Sequence, residues 1–261
     1  MTLKSGAQEA VAWRDISMVY ADGSVALKGV NLSVAAGEIL AVLGTSGSGK
    51  TTLLKMVNRL VDPTSGEVFV GGKKTADWDP IALRRSIGYV IQDVGLMPHL
   101  TILSNVAIVP RLLGVPRRVR EERAEELLKT VGLEPSRYAK RKPRELSGGQ
   151  RQRVGVARAL AADPSIILMD EPFGALDPIT RRDLQDEFRE LQRRLGKTVI
   201  LVTHDIREAC RIADRLALMD HGELVQQGSP EEVVGHPATE FARAFFQDAE
   251  AVATGGREGA K

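Results

Sequence analysis

The sequence contains a single cysteine, Cys210, among its 261 residues. One cysteine cannot form an internal disulfide, so the sequence is not that of a small disulfide-stabilised secreted domain. We interpret Cys210 as a small apolar residue, buried or half-buried, in a protein of a reducing compartment.

Long apolar runs are also missing. No stretch approaches the roughly 18 apolar residues that a transmembrane helix requires, and the N-terminal MTLKSGAQEAVAW lacks the apolar core of a signal peptide. We therefore expect the chain to fold in the cytosol. Such a chain can still dock onto a separate membrane protein through its own surface.

Neither sign of charge is in excess. The chain carries 36 basic and 34 acidic residues, a formal net charge of +2, so no global positive field points to a nucleic acid. Hydrophobic residues make up 43% of the chain, which is enough for a full core in one large α/β domain or in one domain with a small lobe. We predict a globular domain without a nucleic-acid partner.

Strand and helix patterns alternate along the chain. Residues 11–44 alternate apolar and polar letters between the turns ADGS and AAGE, which predicts N-terminal strands joined by tight turns. After residue 148, helical patterns alternate with the apolar segments SIILMD and TVILVTH, an order typical of a parallel sheet covered by helices. The stretch from about 80 to 145 has fragments of helical period and predicts a helical insert or lobe.

The segment GTSGSGKTT, residues 44–52, lies between an apolar strand pattern and a helix pattern. It contains G-x-x-x-x-G-K-[ST], in which backbone N–H groups surround a phosphate chain at a helix N-terminus. Glycine lets the backbone bend closely around the anion, Lys50 reaches the β- and γ-phosphates, and the Thr51 hydroxyl can bind Mg²⁺. The ligand predicted by this P-loop is a nucleoside triphosphate.

Two carboxylates, Asp170 and Glu171, follow the apolar run IILM. They therefore lie at the C-terminal end of a strand, where open α/β sheets bind their ligands. We predict that Asp170 holds Mg²⁺ through its water shell. Glu171 is predicted to act beyond the metal, near the γ-phosphate, as a general base or water-orienting group.

The five letters LSGGQ at residues 146–150 distinguish between families of P-loop proteins. Together with the other two motifs, in this order, they resemble the ATP-binding cassette (ABC) ATPases from about residue 11 to about residue 235. The resemblance implies a P-loop NTPase fold of the α/β class, with a mixed and parallel sheet core, N-terminal antiparallel strands and a helical lobe at about 93–160. Residues 1–10 are then an N-terminal extension, and residues 236–261 a C-terminal helix and tail.

The resemblance also implies roles for single residues. Tyr20 resembles the aromatic residue that stacks on adenine, Gln92 the glutamine that contacts Mg²⁺ and the attacking water, and His204 the switch histidine at the γ-phosphate. Asp177 resembles the loop aspartate after the catalytic acid. The expected catalytic residues are Lys50, Gln92, Glu171 and His204. The expected Mg²⁺ ligands are Thr51, Gln92 and Asp170. The expected ATP-binding residues are Tyr20, Gly44, Thr45, Ser46, Gly47, Ser48, Gly49, Lys50, Thr51, Thr52, Ser147, Gly148, Gly149, Gln150 and Asp177.

The signature loop LSGGQ is a second phosphate clamp that lies in the helical lobe, away from the P-loop of its own chain. In the family a second cassette, arranged head to tail, completes both sites, so that two ATP molecules lie between P-loop and signature loop. The resemblance therefore implies a homodimer.

Three functions compete: a transporter motor, a cytosolic ABC protein acting on ribosomes or DNA, and a nucleotide switch. Only 97 positions separate Lys50 from Ser147, too few for the coiled-coil arms of DNA-linked relatives, and the chain has one P-loop where translation-linked relatives usually have two. A separate ATPase subunit of an importer fits best. Its expected partners are an integral membrane permease and, indirectly, a solute-binding protein, and its expected place is the cytoplasmic face of the membrane.

The segment QDVGLMPHLTILSNVAIVP puts Val94, Leu96, Met97 and Leu100 into a predicted loop, as a docking groove for a short permease helix would require. Together with KMVNRLVDPTSGEV, it resembles the ATPases of quaternary-amine osmoprotectant uptake, for glycine betaine, carnitine, choline or proline. Two alternatives stay open: an importer ATPase for another small polar solute such as an amino acid, and a cytosolic ABC ATPase switch. Many members append a pair of cystathionine-β-synthase-type domains, which this sequence does not contain.

Overall fold

The structure is a computed structural model that describes residues 8–174 and 176–254, with side chains described up to residue 247. Most of the predicted N-terminal extension and the tail beyond residue 254 lie outside the described residues. The chain divides into two compact units, the first drawn from residues 1–74 and 201–261 and the second from residues 75–200. The predicted domain bounds differ from this division and stay a prediction.

The first unit contains two groups of strands. Its elements are β1 (Glu9–Val19), β2 (Val25–Ala35), β3 (Ile39–Gly44), α1 (Lys50–Val57), β4 (Ser65–Val70), β5 (Lys73–Lys74), α9 (Ile206–Ile212), β9 (Arg215–Asp220), β10 (Glu223–Gly228), α10 (Pro230–Gly235) and α11 (Glu240–Thr254). The order β2-β1-β4-β5 forms an antiparallel sheet, as the turn pattern predicted. Strand β3 runs parallel to β9, with Val42 opposite Ala217, and β10 pairs antiparallel with β9.

The core of the first unit places α1 with respect to the N-terminal sheet. Every residue of β3 is buried, as expected for a strand covered on both faces. Trp13 of β1 is 1% exposed, and its indole N–H donates to the carbonyl of Leu53 in α1 over 3.1 Å. The tryptophan therefore packs the core and also fixes the helix that follows the P-loop.

The second unit is mainly helical. Its elements are α2 (Pro80–Ser86), β6 (Ile87–Val90), α3 (Ile102–Val106), α4 (Ile108–Leu112), α5 (Arg117–Thr130), α6 (Pro135–Tyr138), α7 (Gly148–Leu160), β7 (Ile166–Asp170) and α8 (Pro178–Leu195), with short 3-10 turns at Thr75–Asp77 and Pro143–Glu145. Strand β8 (Thr198–Val202) begins in this unit and ends in the first. Strands β6 and β7 are parallel, with Gly88 opposite Ile167.

Two packing features of the second unit matter for the site. A Cβ atom on Gly88 would lie 2.6 Å from the carbonyl oxygen of Ala159, so glycine permits the close approach of α7 to β6. Three apolar residues of α8, at spacings of four and three, are buried: Leu184, Phe188 and Leu191. Helix α7 is therefore held between a strand and a second helix.

No helix among the described residues is long and apolar enough to span a membrane. Cys210 lies on α9 and is exposed, so its interpretation as a buried or half-buried residue is wrong.

Candidate functional site

The P-loop joins β3 to α1 and is closed over the ammonium group of Lys50. This side chain is 7% exposed, and its Nζ donates to the carbonyls of Gly44 (2.9 Å) and Thr45 (2.6 Å) and to Oγ of Ser48 (3.3 Å). The charge is therefore held at the centre of the turn by loop oxygens. An ammonium group has three N–H donors, and these three bonds use them, so a phosphate oxygen would bind Nζ by replacing one of the loop oxygens.

The start of α1 is suited to an anion. Gly49 precedes the helix in the left-handed region, with φ 96°, and among the described residues no side chain caps the first turn, which carries no acidic residue. The positive end of the helix dipole therefore faces the loop without a competing carboxylate of its own turn. A Cβ atom on Gly49 would lie 2.4 Å from the carbonyl oxygen of Ala26, so only glycine fits.

A cavity of about 300 Å³ opens beside the P-loop. Its lining residues are Tyr20, Ser24, Val25, Ala26, Gly47, Gly49, Lys50, Thr51 and Thr52. The ring of Tyr20 is 40% exposed, and its hydroxyl forms a 2.9 Å hydrogen bond with Oγ1 of Thr52. An anchored aromatic ring in a cavity next to a phosphate loop is a feature suited to a nucleotide base.

His204 follows β8 by two residues and is exposed in the first unit. Its neighbours fix the backbone on both sides. The N–H of Thr203 donates to the carbonyl of Val42 in β3 (3.2 Å), and Asp205 caps α9 by accepting from the N–H of Arg207 (2.9 Å). His204 is therefore carried on a short, well-anchored turn at the end of β8, beside β3, the strand that leads into the P-loop.

The second unit brings the Asp-Glu pair and Gln92 together. Asp170 ends β7 and is 9% exposed, while Glu171 follows in the left-handed region with φ 45°. The amide of Gln92 donates through Nε2 to Oε2 of Glu171 over 3.1 Å. The predicted water-contacting glutamine and the predicted general base are thus direct hydrogen-bond partners.

The hydroxyl of Tyr89 in β6 is influenced by the negative charge of Asp170. Burial, and secondly the negative charge of Asp170, raise the pKa of the Tyr89 hydroxyl to about 12. The phenol therefore stays protonated at physiological pH. A neutral hydroxyl lets the neighbouring carboxylate keep its charge, whereas a phenolate would oppose it.

The signature loop begins α7 with a reciprocal capping box. Oγ of Ser147 accepts the N–H of Gln150 (3.3 Å), and Oε1 of Gln150 accepts the N–H of Ser147 (3.0 Å). Because the serine oxygen already accepts a bond, its own O–H proton is left to donate to a ligand. This geometry suits a serine that binds an anionic oxygen.

Both polar groups of the Gln150 side chain are used inside the protein. Besides its bond to Ser147, the amide donates through Nε2 to the hydroxyl of Tyr138 over 3.3 Å. The Gln150 side chain thus holds Ser147 in place, and its predicted contact with ATP stays a prediction. Sequence reasoning missed Tyr138, because it lies 12 residues away in α6 and belongs to no motif.

Asp177 caps α8 by accepting the N–H of Thr180 over 3.0 Å, and this backbone bond is the main cause that lowers the pKa of Asp177. Thr180 also lies next to the signature loop. A Cβ atom added to Gly149 would lie 2.8 Å from the Cγ2 methyl group of Thr180. The signature loop and the Asp177 loop are thus in van der Waals contact through Gly149 and Thr180. The ligand contact predicted for Asp177 stays a prediction.

The predicted docking loop is only partly exposed. Met97 is 41% exposed, and it lines a groove of about 320 Å³ with Ile108, Val109 and Leu112. Val94, in contrast, is 8% exposed, so its inclusion among the docking residues is wrong. Its side chain packs into the interior of the unit.

Comparison with known proteins identifies the family. The sequence profile described as "ABC transporter" matches residues 27–174, more than half of the chain. The chain belongs to the ABC transporter family. The matched region of this ABC protein runs from β2 to just beyond the Asp-Glu pair, so it contains all three motifs.

Several relatives are closely similar. Over 231 residues the chain is 54% identical to the glycine betaine/carnitine/choline transport ATP-binding protein OpuCA of Bacillus subtilis (strain 168), covering 88% of this chain and 60% of the relative. Over 221 residues it is 52% identical to the glycine betaine uptake system ATP-binding protein YehX of Escherichia coli (strain K12), covering 85% and 71%. The chain thus spans about three fifths of the OpuCA relative's length.

The fold is similar to that of solved cassettes. A dimeric structure of the ATP-binding cassette MJ0796, in a post-hydrolysis state with ADP and Pi, matches with a TM-score of 0.75 and 40% sequence identity, covering 84% of this chain and 98% of that chain. This likeness confirms the predicted ABC ATPase type of α/β fold.

Proposed function

We propose that this chain is the ATP-hydrolysing subunit of an ABC importer for a small solute, with a quaternary-amine osmoprotectant as the favoured substrate. The observation that carries the proposal is the 54% identity to a glycine betaine/carnitine/choline transport ATP-binding protein over 88% of this chain. The site geometry agrees with it, since the P-loop, the anchored aromatic ring and the Gln92–Glu171 pair supply what nucleotide hydrolysis needs.

ATP binding is assigned to the first unit. The P-loop backbone and Lys50 hold the phosphates, and the Tyr20 ring stacks on the base in the cavity beside the P-loop. The hydroxyl bond from Tyr20 to Thr52 ties the base site to α1, and therefore to the loop that binds the phosphates. Hydrolysis of ATP to ADP and phosphate is the reaction.

Mg²⁺ fits the residues present. The predicted ligands offer a hydroxyl from Thr51, an amide oxygen from Gln92 and a carboxylate from Asp170, and oxygen is the donor atom that this ion prefers. Asp170 is 9% exposed, so its carboxylate is held in place at the end of β7. When bound, the ion offsets negative charge on the phosphate oxygens.

In the hydrolytic step Glu171 accepts a proton from the attacking water. Gln92 orients the Glu171 carboxylate and the attacking water. The hydrogen bond between the two side chains holds the Glu171 carboxylate beside the Gln92 amide. His204 donates a hydrogen bond to the γ-phosphate from the first unit. The positive φ of Glu171 is the kind of local strain that is found where a side chain must be aimed.

A second copy of the chain is part of the proposal. Ser147 lies in the second unit and the P-loop in the first, and the cassette MJ0796 is dimeric in the matched structure. A two-fold dimer in which each signature loop completes the other subunit's P-loop would use the donating hydroxyl of Ser147 on the γ-phosphate.

The remaining partners follow from the importer assignment. The groove beside Met97 is the proposed seat of a permease segment, with Arg84 and Arg85 among its lining residues. The permease would place this subunit at the cytoplasmic face of the membrane, and a separate solute-binding protein would deliver the solute. No side chain of the candidate site is assigned to the solute itself.

The proposal is tested by co-purifying the chain with the permease and solute-binding protein expressed from the same source, then measuring ATP hydrolysis in liposomes. Glycine betaine, carnitine or choline should stimulate hydrolysis through the solute-binding protein. If an amino acid stimulates hydrolysis and the three quaternary amines do not, the transported solute is an amino acid. ATP turnover with no membrane partner bound would support the cytosolic switch instead.

Tyr20→Ala should weaken ATP binding by roughly 1–3 kcal/mol, the usual range for one ring stacked on a base, and leave turnover at saturating ATP nearly unchanged. Isothermal titration calorimetry measures the affinity. Tyr20→Phe is the control, because it keeps the ring and removes only the hydrogen bond to Thr52. Its ATP affinity should fall much less than that of Tyr20→Ala. Equal affinity of the alanine variant and the wild type would remove Tyr20 from the base site.

Changing Leu96 and Met97 together to serine should leave ATP binding by the isolated subunit largely intact and reduce assembly with the permease. Met97 is exposed and lines the groove, and Leu96 precedes it and is half-buried, so serine at both positions removes apolar area from the groove and from the adjoining loop. Leu60→Ser is a matched control, since Leu60 is 49% exposed in the first unit. Normal assembly and transport by the double variant would mean that docking does not use this loop.

A further inference from the structure

The turn directly after Gln92 has an unusual backbone. Val94 and Gly95 both lie in the left-handed region, with φ 57° and 56°. Glycine adopts this conformation readily, but a β-branched residue such as valine almost never does so. Contacts from elsewhere in the unit must therefore hold the turn at residues 93–95.

The first such contact is a two-pronged hydrogen bond from α7. The guanidinium of Arg158 donates through Nη2 to the carbonyl of Val94 and through Nη1 to the carbonyl of Gly95, the latter over 2.7 Å. Both carbonyls belong to the left-handed residues. One rigid, planar side chain thus fixes the orientation of two successive peptide groups.

The second contact is between the Val94 side chain and α7 at Gly155, which has no side chain. A Cβ atom on Gly155 would lie 2.6 Å from Cγ1 of Val94. Val94 is 8% exposed, so its isopropyl group fills the space that Gly155 leaves on the surface of α7. The valine that strains the backbone is the residue whose side chain is locked in place.

These contacts bear on the chemistry because of where the turn begins. The N–H of Val94 donates to the carbonyl of Ile91 over 2.9 Å, so the turn closes around Gln92, whose amide bonds Glu171 over 3.1 Å. Helix α7 starts at the residue after Ser147. The helix that begins directly after the signature serine therefore holds the turn after Gln92 through Gly155 near its middle and Arg158 in its last turn.

We propose that Val94, Gly155 and Arg158 are positioning residues for hydrolysis: they brace the strained turn against α7 and so keep Gln92 bonded to Glu171. The inference rests on the proposed ATPase function. It implies that movement of α7 at the signature loop reaches Gln92 through this brace, within one unit of one chain.

Gly155→Ala tests the brace by adding one methyl group where Val94 lies. Alanine favours helices more than glycine, so a loss cannot come from helix propensity. We expect kcat to fall about tenfold with KM nearly unchanged, since a small misplacement of a positioned group lowers the rate more than binding. Val94→Ala combined with Gly155→Ala restores the room for the methyl group and should recover most of the rate. Arg158→Lys keeps the positive charge but cannot donate to both carbonyls through a planar guanidinium. Its kcat should fall by a similar factor.

Hydrogen exchange of the peptide 91–97 gives a readout that does not need activity. It should accelerate in Gly155→Ala and Arg158→Lys and recover in the double variant. Gly235→Ala is the control, because an added Cβ there meets nothing within 4 Å. If Gly155→Ala keeps the wild-type kcat and exchange, the brace is wrong while the ATPase proposal stands. If the wild type does not hydrolyse ATP, the ATPase proposal fails and the exchange data still decide whether the brace exists.

Discussion

Replacing Glu171 by glutamine should slow ATP hydrolysis by about 10²- to 10⁴-fold, the usual range for losing a positioned base. The change removes the basic carboxylate and keeps the shape of the side chain. The new amide still has an oxygen that can accept from Nε2 of Gln92, so the contact now seen at 3.1 Å can persist. ATP binding should be preserved, since the P-loop and Tyr20 are untouched.

Two measurements check this result. Single-turnover hydrolysis gives the chemical rate without product release, and size-exclusion chromatography with ATP and Mg²⁺ should show the dimer accumulating, because the bound ATP is no longer consumed. Glu190→Gln makes the same chemical change at an exposed position of α8 and should keep the wild-type rate. Hydrolysis by the Glu171 variant at the wild-type rate would falsify its role as the base.

The motifs that sequence reasoning found are those whose chemistry is local. The P-loop, the Asp-Glu pair and LSGGQ each set a strand end or a helix start within a few residues, and the resemblance they carry predicted the fold class correctly. Their ligand contacts stay predictions, because the structure contains the protein alone. What the structure adds is the internal support of these motifs.

That support escaped the sequence for a physical reason. Arg158 reaches across 64 residues to Val94, and Tyr138 reaches Gln150 from another helix, so no periodicity or spacing links them. Val94 is instructive, because an apolar letter in a loop with glycine and proline predicts an exposed contact. Its burial depends on a glycine in α7 that alone makes room. Pairings of this kind are set by tertiary packing.

Glycine substitutions in the P-loop separate backbone strain from steric clash. Gly47 and Gly49 both have positive φ, 79° and 96°, so alanine at either position costs about 1–2 kcal/mol for the left-handed conformation. An added Cβ at Gly47 meets nothing within 4 Å. At Gly49 it would lie 2.4 Å from the carbonyl oxygen of Ala26 and 2.7 Å from Cδ2 of Leu27. The two variants therefore differ by the clash alone.

Gly49→Ala should weaken ATP binding by about 3 kcal/mol or more, roughly a hundredfold, because the start of α1 must move away from β2 and the loop can no longer close on the phosphates. Gly47→Ala should weaken ATP binding by about 5- to 30-fold, the effect of the backbone strain alone. Calorimetric titration with a non-hydrolysable ATP analogue measures both, and thermal unfolding without nucleotide shows how much of each change is a loss of stability. The backbone of β2 cannot yield as a flexible side chain can, so we expect the Gly49 variant to unfold at a lower temperature as well. Equal affinities for the two variants would mean that the β2 carbonyl does give way, and that the close approach of Gly49 to Ala26 is not what shapes the loop.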